Sequence, residues 1–294
     1  MAVVAATGFF DGVHKGHRLV LETLSKAAAG RGAESLVVTF WPHPRIVLQN
    51  DARNLQLLTS LDEKKEMISL FGHRVEVLPF TREFSRLTTK EYLKDILIEK
   101  FGCTAIVLGY DNRMGSDLLS PSETAALARS LSLEVIEAPP FSAPSRDGED
   151  AVSSTRIRKC LSEGDILAAN GMLGYDYSLR GVVVAGNRIG RTIGFPTANM
   201  QLYEPLKLVP SNGVYEVEVE TLGERFKGMC NIGLRPTVGG KARTIETHIL
   251  DFDEDIYGHD IRISFRRKIR DEKHFPSLEA LRGQLERDRA SLLS

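Results

Sequence analysis

Residues 3–29 read VVAATGFFDGVHKGHRLVLETLSKAAA, and this stretch decides the fold of the first half. Val3–Thr7 is a short apolar run with the composition of a buried strand. Glycines punctuate the turn Gly8–Gly16, and from about His17 to Ala29 apolar residues recur at helical spacing. Strand, glycine turn and helix, in that order, make the first unit of a parallel α/β sheet. The opening Met1–Ala6 is apolar, lacks a basic leader and meets Asp11 at once. A buried strand is therefore expected there rather than a signal peptide.

The alternation continues outward. Strands are expected at Ser35–Phe40, Val75–Leu78, Ala105–Leu108 and Leu133–Ile136, and helices at Ser60–Leu70, Thr89–Lys100 and Pro121–Ser130. Ser60 with Glu63 forms a capping box at the start of the second helix. Continuous apolar strands predict a parallel sheet covered on both faces, with ligands at the carboxyl ends of its strands. Pro139–Asp150 (PPFSAPSRDGED) is expected to be a loop, followed by short helices at Ser154–Leu161 and Asp165–Leu173.

After Gly174 the pattern changes to strands at Gly181–Ala185, Gly213–Glu220, Glu224–Ile232, Arg243–Leu250 and Ile261–Arg267. In Tyr215–Glu220 the alternation is strict: Tyr215, Val217 and Val219 on one face, glutamates on the other. That describes a half-exposed antiparallel strand, and several of them imply a small barrel or sandwich. An amphipathic helix, Leu278–Leu292, capped by Ser277, ends the chain. The domains expected are residues 1–175, α/β, and residues 176–294, all-β.

Composition limits the function classes. Lys+Arg 38 against Asp+Glu 39 leaves a net charge of −1, so no basic field recruits nucleic acid or an anionic membrane. The run Arg266–Arg270 is read as a solvated strand end rather than a nucleic-acid patch. No apolar run approaches the roughly 18 residues of a spanning helix. Cys103, Cys160 and Cys230 are scattered and odd in number, which suits a reducing, cytoplasmic setting. Oligomeric state is open.

Two constellations carry chemistry. In Gly8–His17 (GFFDGVHKGH) the glycines allow close backbone approach, and the helix that follows offers free N–H groups to an anion. His14 and His17, three apart, face one side of its first turn. Ser154, Thr155 and Arg156 offer further phosphate donors, although Ser154 could equally be a plain helix cap. In the second half, residues 186–199 read GNRIGRTIGFPTAN. This is not a Walker A loop, but its glycines and arginines describe a cationic loop able to close on phosphates. Thr197 and Asn199 supply two neutral oxygens of the kind Mg²⁺ accepts, although a surface hairpin loop would read similarly. On the strand at 245–249, Glu246 and His248 share one face, opposite Ile245, Thr247 and Ile249. Trp41 and Phe195 could stack on a ring, but packing is the default for both.

The first constellation resembles the HxGH nucleotidyltransferase superfamily and, more narrowly, prokaryotic FAD synthetases. TFWPHPR (39–45), PFTREF (79–84), GYDNRMG (109–115) and VSSTRIR (152–158) match in the same way. GRTIGFPTAN (190–199) resembles the riboflavin kinase signature, with NIGLRPT (231–237), IETHILD (245–251), DIYG (255–258) and KIRDEKHF (268–275) following in order. Nearly the whole chain is thus similar to the bifunctional riboflavin kinase/FAD synthetase family. The resemblance implies an N-terminal Rossmann-like HxGH nucleotidyltransferase domain, then a small antiparallel Greek-key β-barrel kinase domain with a C-terminal helix. It implies transferase chemistry: ATP and Mg²⁺ convert riboflavin to FMN, and ATP then adenylylates FMN to FAD.

Site residues follow from the same resemblance. His14, His17 and Glu246 would be catalytic, Glu246 as the base. Gly8, Phe9, Asp11, Gly12, Gly16, Asp111, Ser154, Thr155 and Arg156 would bind the adenylylating nucleotide. Gly186, Gly190, Arg191, Gly194, Pro196, Thr197 and Asn199 would bind the kinase nucleotide, with Thr197 and Asn199 at the metal. Asn231, Glu246, Arg270 and Phe275 would meet the flavin. One segment departs from the family: Asn112 and Met114 replace two aromatics, and the loop shortens to Gly115–Asp117. The departure raises the alternative of a kinase whose N-terminal half is impaired in FAD synthesis. A non-catalytic flavin-binding module is the other.

Overall fold

The structure is a computed structural model, described over residues 2–49, 55–110, 112–145, 148–186, 189–237 and 240–293. The chain divides into two compact units, Met1–Ser154 and Thr155–Ser294. This division lies earlier than residue 175, so most of the pair of short helices groups with the second unit.

The first unit is built on five parallel strands: β1 (Val3–Thr7), β2 (Glu34–Trp41), β3 (Arg74–Pro79), β4 (Cys103–Leu108) and β5 (Glu134–Glu137). Their order is β3-β2-β1-β4-β5, with β1 in the centre. The helices are α1 (Lys15–Ala29), α2 (Pro44–Gln49), α3 (Leu61–Ser69), α4 (Thr89–Glu91, continuing as a π-wound Tyr92–Lys100) and α5 (Pro121–Ser130). Every residue of β1 is buried because alternate side chains enter two separate cores. Val3 and Ala5 pack with Leu93, Leu97 and Ala128 on one face. Val4 and Ala6 pack with Leu21, Leu24 and Ile68 on the other. The capping box at Ser60 and Glu63 forms as expected, and others form at Thr88/Glu91 and Ser120/Glu123.

Pro139–Asp150 is not simply a loop. Ser142–Ser145 (β6) and Gly148–Ala151 (β7) pair as an antiparallel ribbon. A two-stranded ribbon has a free edge on each strand, so a proline that lacks an N–H can be accommodated and the composition misleads.

The second unit begins with α6 (Ser154–Glu163) and α7 (Ile166–Leu173), the latter stopped by Gly174 in the left-handed region at φ 79°. A closed antiparallel barrel follows, from β8 (Ser178–Val184), β9 (Ala198–Leu202), β10 (Gly213–Thr221), β11 (Glu224–Thr237), β12 (Gly240–Ile249) and β13 (Asp260–Arg270). Around the barrel the order is β10-β11-β12-β9-β8-β13. The alternation in β10 holds: Tyr215, Val217 and Val219 are buried and the intervening glutamates half-buried. Tyr215 meets Phe265 edge-on at 5.3 Å in the core. A short helix, α8 (Ile189–Thr192), interrupts the glycine-rich loop.

The last helix, α9 (Leu278–Leu293), is capped by the Ser277 hydroxyl, which accepts from the Ala280 amide at 3.2 Å. Arg270 at the end of β13 reaches it with Nε and Nη2, 2.9 and 2.8 Å from Asp288 Oδ2. Their side chains are 12% and 3% exposed, so this is a buried pair. Removing one partner leaves an uncompensated charge. Asp288→Ala is expected to lower stability by about 3–5 kcal/mol, read as a shift in the denaturant midpoint.

Candidate active sites

The first site is the turn between β1 and α1. Phe10, Gly12 and Val13 all have positive φ (53°, 82° and 35°), which a β-branched valine adopts only when its surroundings enforce it. Asp11 supplies much of that enforcement. It is 3% exposed, and its carboxylate accepts from the amides of Leu58 and Thr59 and from the Thr59 hydroxyl. The Gly12 amide donates to the same hydroxyl at 3.0 Å. Asp11 is thus turned inward to shape the turn.

Helix α1 starts at Lys15 with His14 as its N-cap, two residues before the expected start. His14 Nδ1 accepts from the His17 amide at 3.3 Å. The two imidazoles stack, with centroids 3.6 Å apart and planes 15° apart. The intervening Gly16 leaves room for this: a Cβ there would lie 3.2 Å from the His14 ring. His17 Nδ1 is buried with no hydrogen-bond partner. Burial, then the neighbouring His14 and Lys64, hold its pKa well below the usual imidazole value, so the ring is neutral at pH 7. Two imidazoles at the open N-terminus of a helix form a donor-rich place for an anion.

Ser154 joins this turn by donating its hydroxyl to the Asp11 carbonyl at 2.9 Å. It lies within the first turn of α6 rather than at the cap, and Thr155 and Arg156 follow it at the start of the second unit. Asp111 lies outside the described residues.

Beside Gly8 and Phe9 opens a cavity of about 500 Å³, walled by Phe40, Phe80, Phe84, Tyr92 and Asn112–Ser116. The shortened loop on its rim is firmly held. The Asn112 amide donates to the Thr7 carbonyl at 3.0 Å, and Met114 is buried in the core. Asp117 accepts from the Thr89 amide and hydroxyl at 3.0 and 2.6 Å. Gly115 has φ +74°, and a Cβ there would collide with the Thr89 amide. Gly115→Ala is expected to cost about 1–3 kcal/mol of stability, read as a shift in the denaturant midpoint.

The second site lies on the barrel. Asn199 on β9 pairs with Glu246 on β12, and Glu246 pairs with Asn231 on β11. Residues directly opposite in antiparallel strands share a face, so the three form a row across adjacent strands. Ile245, Thr247 and Ile249 turn into the barrel and are buried, while Glu246 and His248 are half-buried on the opposite face. Asn199 lies over Gly186, where a Cβ would strike its carboxamide. His248 Nδ1–H donates to the Pro196 carbonyl at 2.8 Å, which fixes the turn before Thr197. The Phe195 amide donates to the Gly190 carbonyl at 2.8 Å, and Gly194 takes φ +82°. Arg191, Pro196 and Thr197 line a cavity of about 260 Å³ with Thr247, Asp253 and Tyr257.

Of the residues expected to meet the flavin, Arg270 is held by Asp288, with its guanidinium 5.7 Å from the centre of the Phe275 ring. Phe195 is buried in a cluster with Met229, Leu250 and Leu292. The basic run is paired rather than open: Arg266 with Asp176 and Glu218, Arg267 with Glu216, and Lys268 with Asp271.

Comparison with known proteins matches both halves. The FAD synthetase family model matches residues 1–156, and the riboflavin kinase family model residues 173–293. A Listeria monocytogenes bifunctional riboflavin kinase/FMN adenylyltransferase is 37% identical over 287 residues, covering 97% of this chain and 90% of the relative. The chain belongs to the bifunctional riboflavin kinase/FMN adenylyltransferase family. The Bacillus subtilis member is 35% identical over 295 residues, with the same two coverages, 97% and 90%. A crystal structure described as a macrolide-efflux protein from Streptococcus pneumoniae shares the fold at TM-score 0.91 and 32% identity, covering 100% of this chain and 94% of that one. Among the described residues, no helix is long and apolar enough to cross a membrane.

Within this family frame, sequence reading passed over two residues at the sites. Lys64 looks like part of a charged helix surface, DEKKE, yet it is 1% exposed beneath the first turn. The Glu272 carboxylate lies over Gly233, beside Asn231, and accepts from Asn212 at 3.2 Å. Lys64 arrives from a helix that the motifs do not include, and Glu272, although inside KIRDEKHF, is given no role by that motif because spacing alone does not bring it to Asn231.

Proposed function

We propose that the chain makes FMN on its barrel and FAD on its α/β unit, with the residues above in the roles named for them. The observation that carries this is the row Asn199–Glu246–Asn231 on one unit and the stacked His14–His17 pair at a helix start on the other.

On the barrel, Glu246 takes the proton from the primary hydroxyl of the ribityl chain, whose oxygen bonds to the γ-phosphorus of ATP as ADP leaves. Gly186, Gly190 and Gly194 let the loop approach the phosphates, and Arg191 adds charge. Thr197 and Asn199 suit Mg²⁺: hydroxyl and carboxamide oxygens are hard donors, and the Asn199 carboxamide lies over a glycine that leaves it room. Bound there, Mg²⁺ would neutralise phosphate charge. Asn231, Arg270 and Phe275 border the flavin.

In the first unit, a phosphate oxygen of FMN attacks the α-phosphorus of ATP and pyrophosphate leaves. His14, His17 and the amides of the Gly8–Gly12 turn hydrogen-bond the charge that builds on the phosphate, joined by Ser154. The largely aromatic cavity beside Phe9 suits the isoalloxazine ring. Asn112 and Met114 leave it open, which favours retained FAD synthesis over the impaired alternative. Buried thiols at Cys103 and Cys230 accord with a cytoplasmic enzyme.

The test is a time course with riboflavin, ATP and Mg²⁺, followed by chromatography. FMN is expected first and FAD after it. FMN that accumulates with no FAD, even when FMN is supplied, overturns the second half of the assignment.

A further inference from the structure

Lys64 sits on the capped helix α3, where its neighbours Asp62 and Glu66 suggest a solvated face. Its side chain runs inward instead and is 1% exposed. Its Nζ donates to the Phe9 carbonyl at 2.9 Å and lies 3.9 Å from the centre of the Phe9 ring. The Thr39 hydroxyl donates to the same carbonyl at 3.2 Å, and His43 packs on the ring at 4.2 Å. Residue 9, the second of the phosphate turn, is thus gripped at both its carbonyl and its side chain.

The core does not require an ammonium there. A methionine would fill similar space without the cost of taking a charge out of water. The charged and titratable groups around Lys64 are few. Asp11 comes from the turn, with its carboxylate occupied by Leu58 and Thr59. His14 and His17 come from α1, and His17 feels the ammonium directly. Glu63, on the same helix, is turned back to the Ser60 amide. His43 packs edge-on against the Phe9 ring.

We propose that Lys64 is a positioning residue for adenylyl transfer: its buried ammonium fixes the Phe9 carbonyl, and through it the Gly8–Gly12 turn that presents His14 and His17. The proposal rests on reading that turn as the adenylyl-transfer site. Burial lowers the Lys64 pKa to about 8, with Asp11 opposing the fall. The clamp is therefore charged well below about pH 8, half charged near it, and loses its charge as pH rises through that value. FAD formation should decline on that alkaline side, and FMN formation, carried by the other unit, should not share the decline.

Two full-length variants test this, K64M and K64R, each assayed for FAD formation from FMN and ATP-Mg²⁺ and for FMN formation from riboflavin. K64M is expected to lose about 100-fold in kcat for FAD formation, with FMN formation unchanged. K64R keeps its charge at all accessible pH, so it is expected to retain substantial activity without the alkaline decline. FAD formation by K64M close to the parent rate overturns the proposal, as does an alkaline decline in K64R identical to the parent's. If K64M does not fold, judged by circular dichroism, the K64R profile decides alone. His17→Ala tests the underlying site: full FAD formation in that variant removes the site assignment itself, whatever Lys64 does.

Discussion

Glu246→Gln is expected to reduce riboflavin phosphorylation by about 10²- to 10⁴-fold, the range a positioned general base supplies. FMN adenylylation by the same preparation should be unchanged, because His14, His17 and the Gly8–Gly12 turn lie in another compact unit. The substitution keeps the size of the side chain and the strand pairing with Asn199 and Asn231, but replaces the basic carboxylate with a neutral carboxamide. The kcat for FMN formation should carry the loss while the KM for ATP stays near its parent value. Loss of both activities in a folded variant would contradict two separate sites. A variant that still makes FMN at the parent rate would remove Glu246 as the base.

His17→Ala is expected to do the reverse. FAD formation should fall by about 10²- to 10³-fold, the effect of deleting one donor to developing charge. Riboflavin phosphorylation should persist, and it reports that the rest of the chain is intact. His17 is the cleaner probe of the pair because His14 also caps α1 through its Nδ1. A His14 variant would therefore lose helix stability together with chemistry, by about 0.5–2 kcal/mol for the cap. Unimpaired FAD synthesis in His17→Ala would mean that the stacked imidazoles are structural.

Much of this was legible in the chain itself. Val3–Thr7 and Ala105–Leu108 read as buried strands because both of their faces are covered, and both form. Tyr215–Glu220 declared one wet face, and the barrel honours it. Other elements were masked by their own composition. The ribbon at 142–151 carries a proline and two serines, which signal a loop. Strand β11 runs on through Gly233 and Pro236 to Thr237, where local propensity would stop it, because β12 supplies partners along its length. Strand β9 is short and mixed in composition, and only its neighbours β8 and β12 make it a strand. Family resemblance brought Asn199, Glu246 and Asn231 forward as candidates but not their alignment, which is a property of register. Long-range electrostatics was the least legible. Nothing in Lys64 announces that it is buried, and nothing in Arg270 announces that an aspartate 18 positions later will neutralise it.

That last pairing bears on how the chain can be handled in the laboratory. Asp288 sits on the final helix, so trimming the tail by even two turns would strand the buried Arg270 guanidinium without its carboxylate. The carboxyl-terminal segment is therefore not a dispensable appendage for crystallographers to shave. A minimal kinase fragment needs to retain it through at least Asp288.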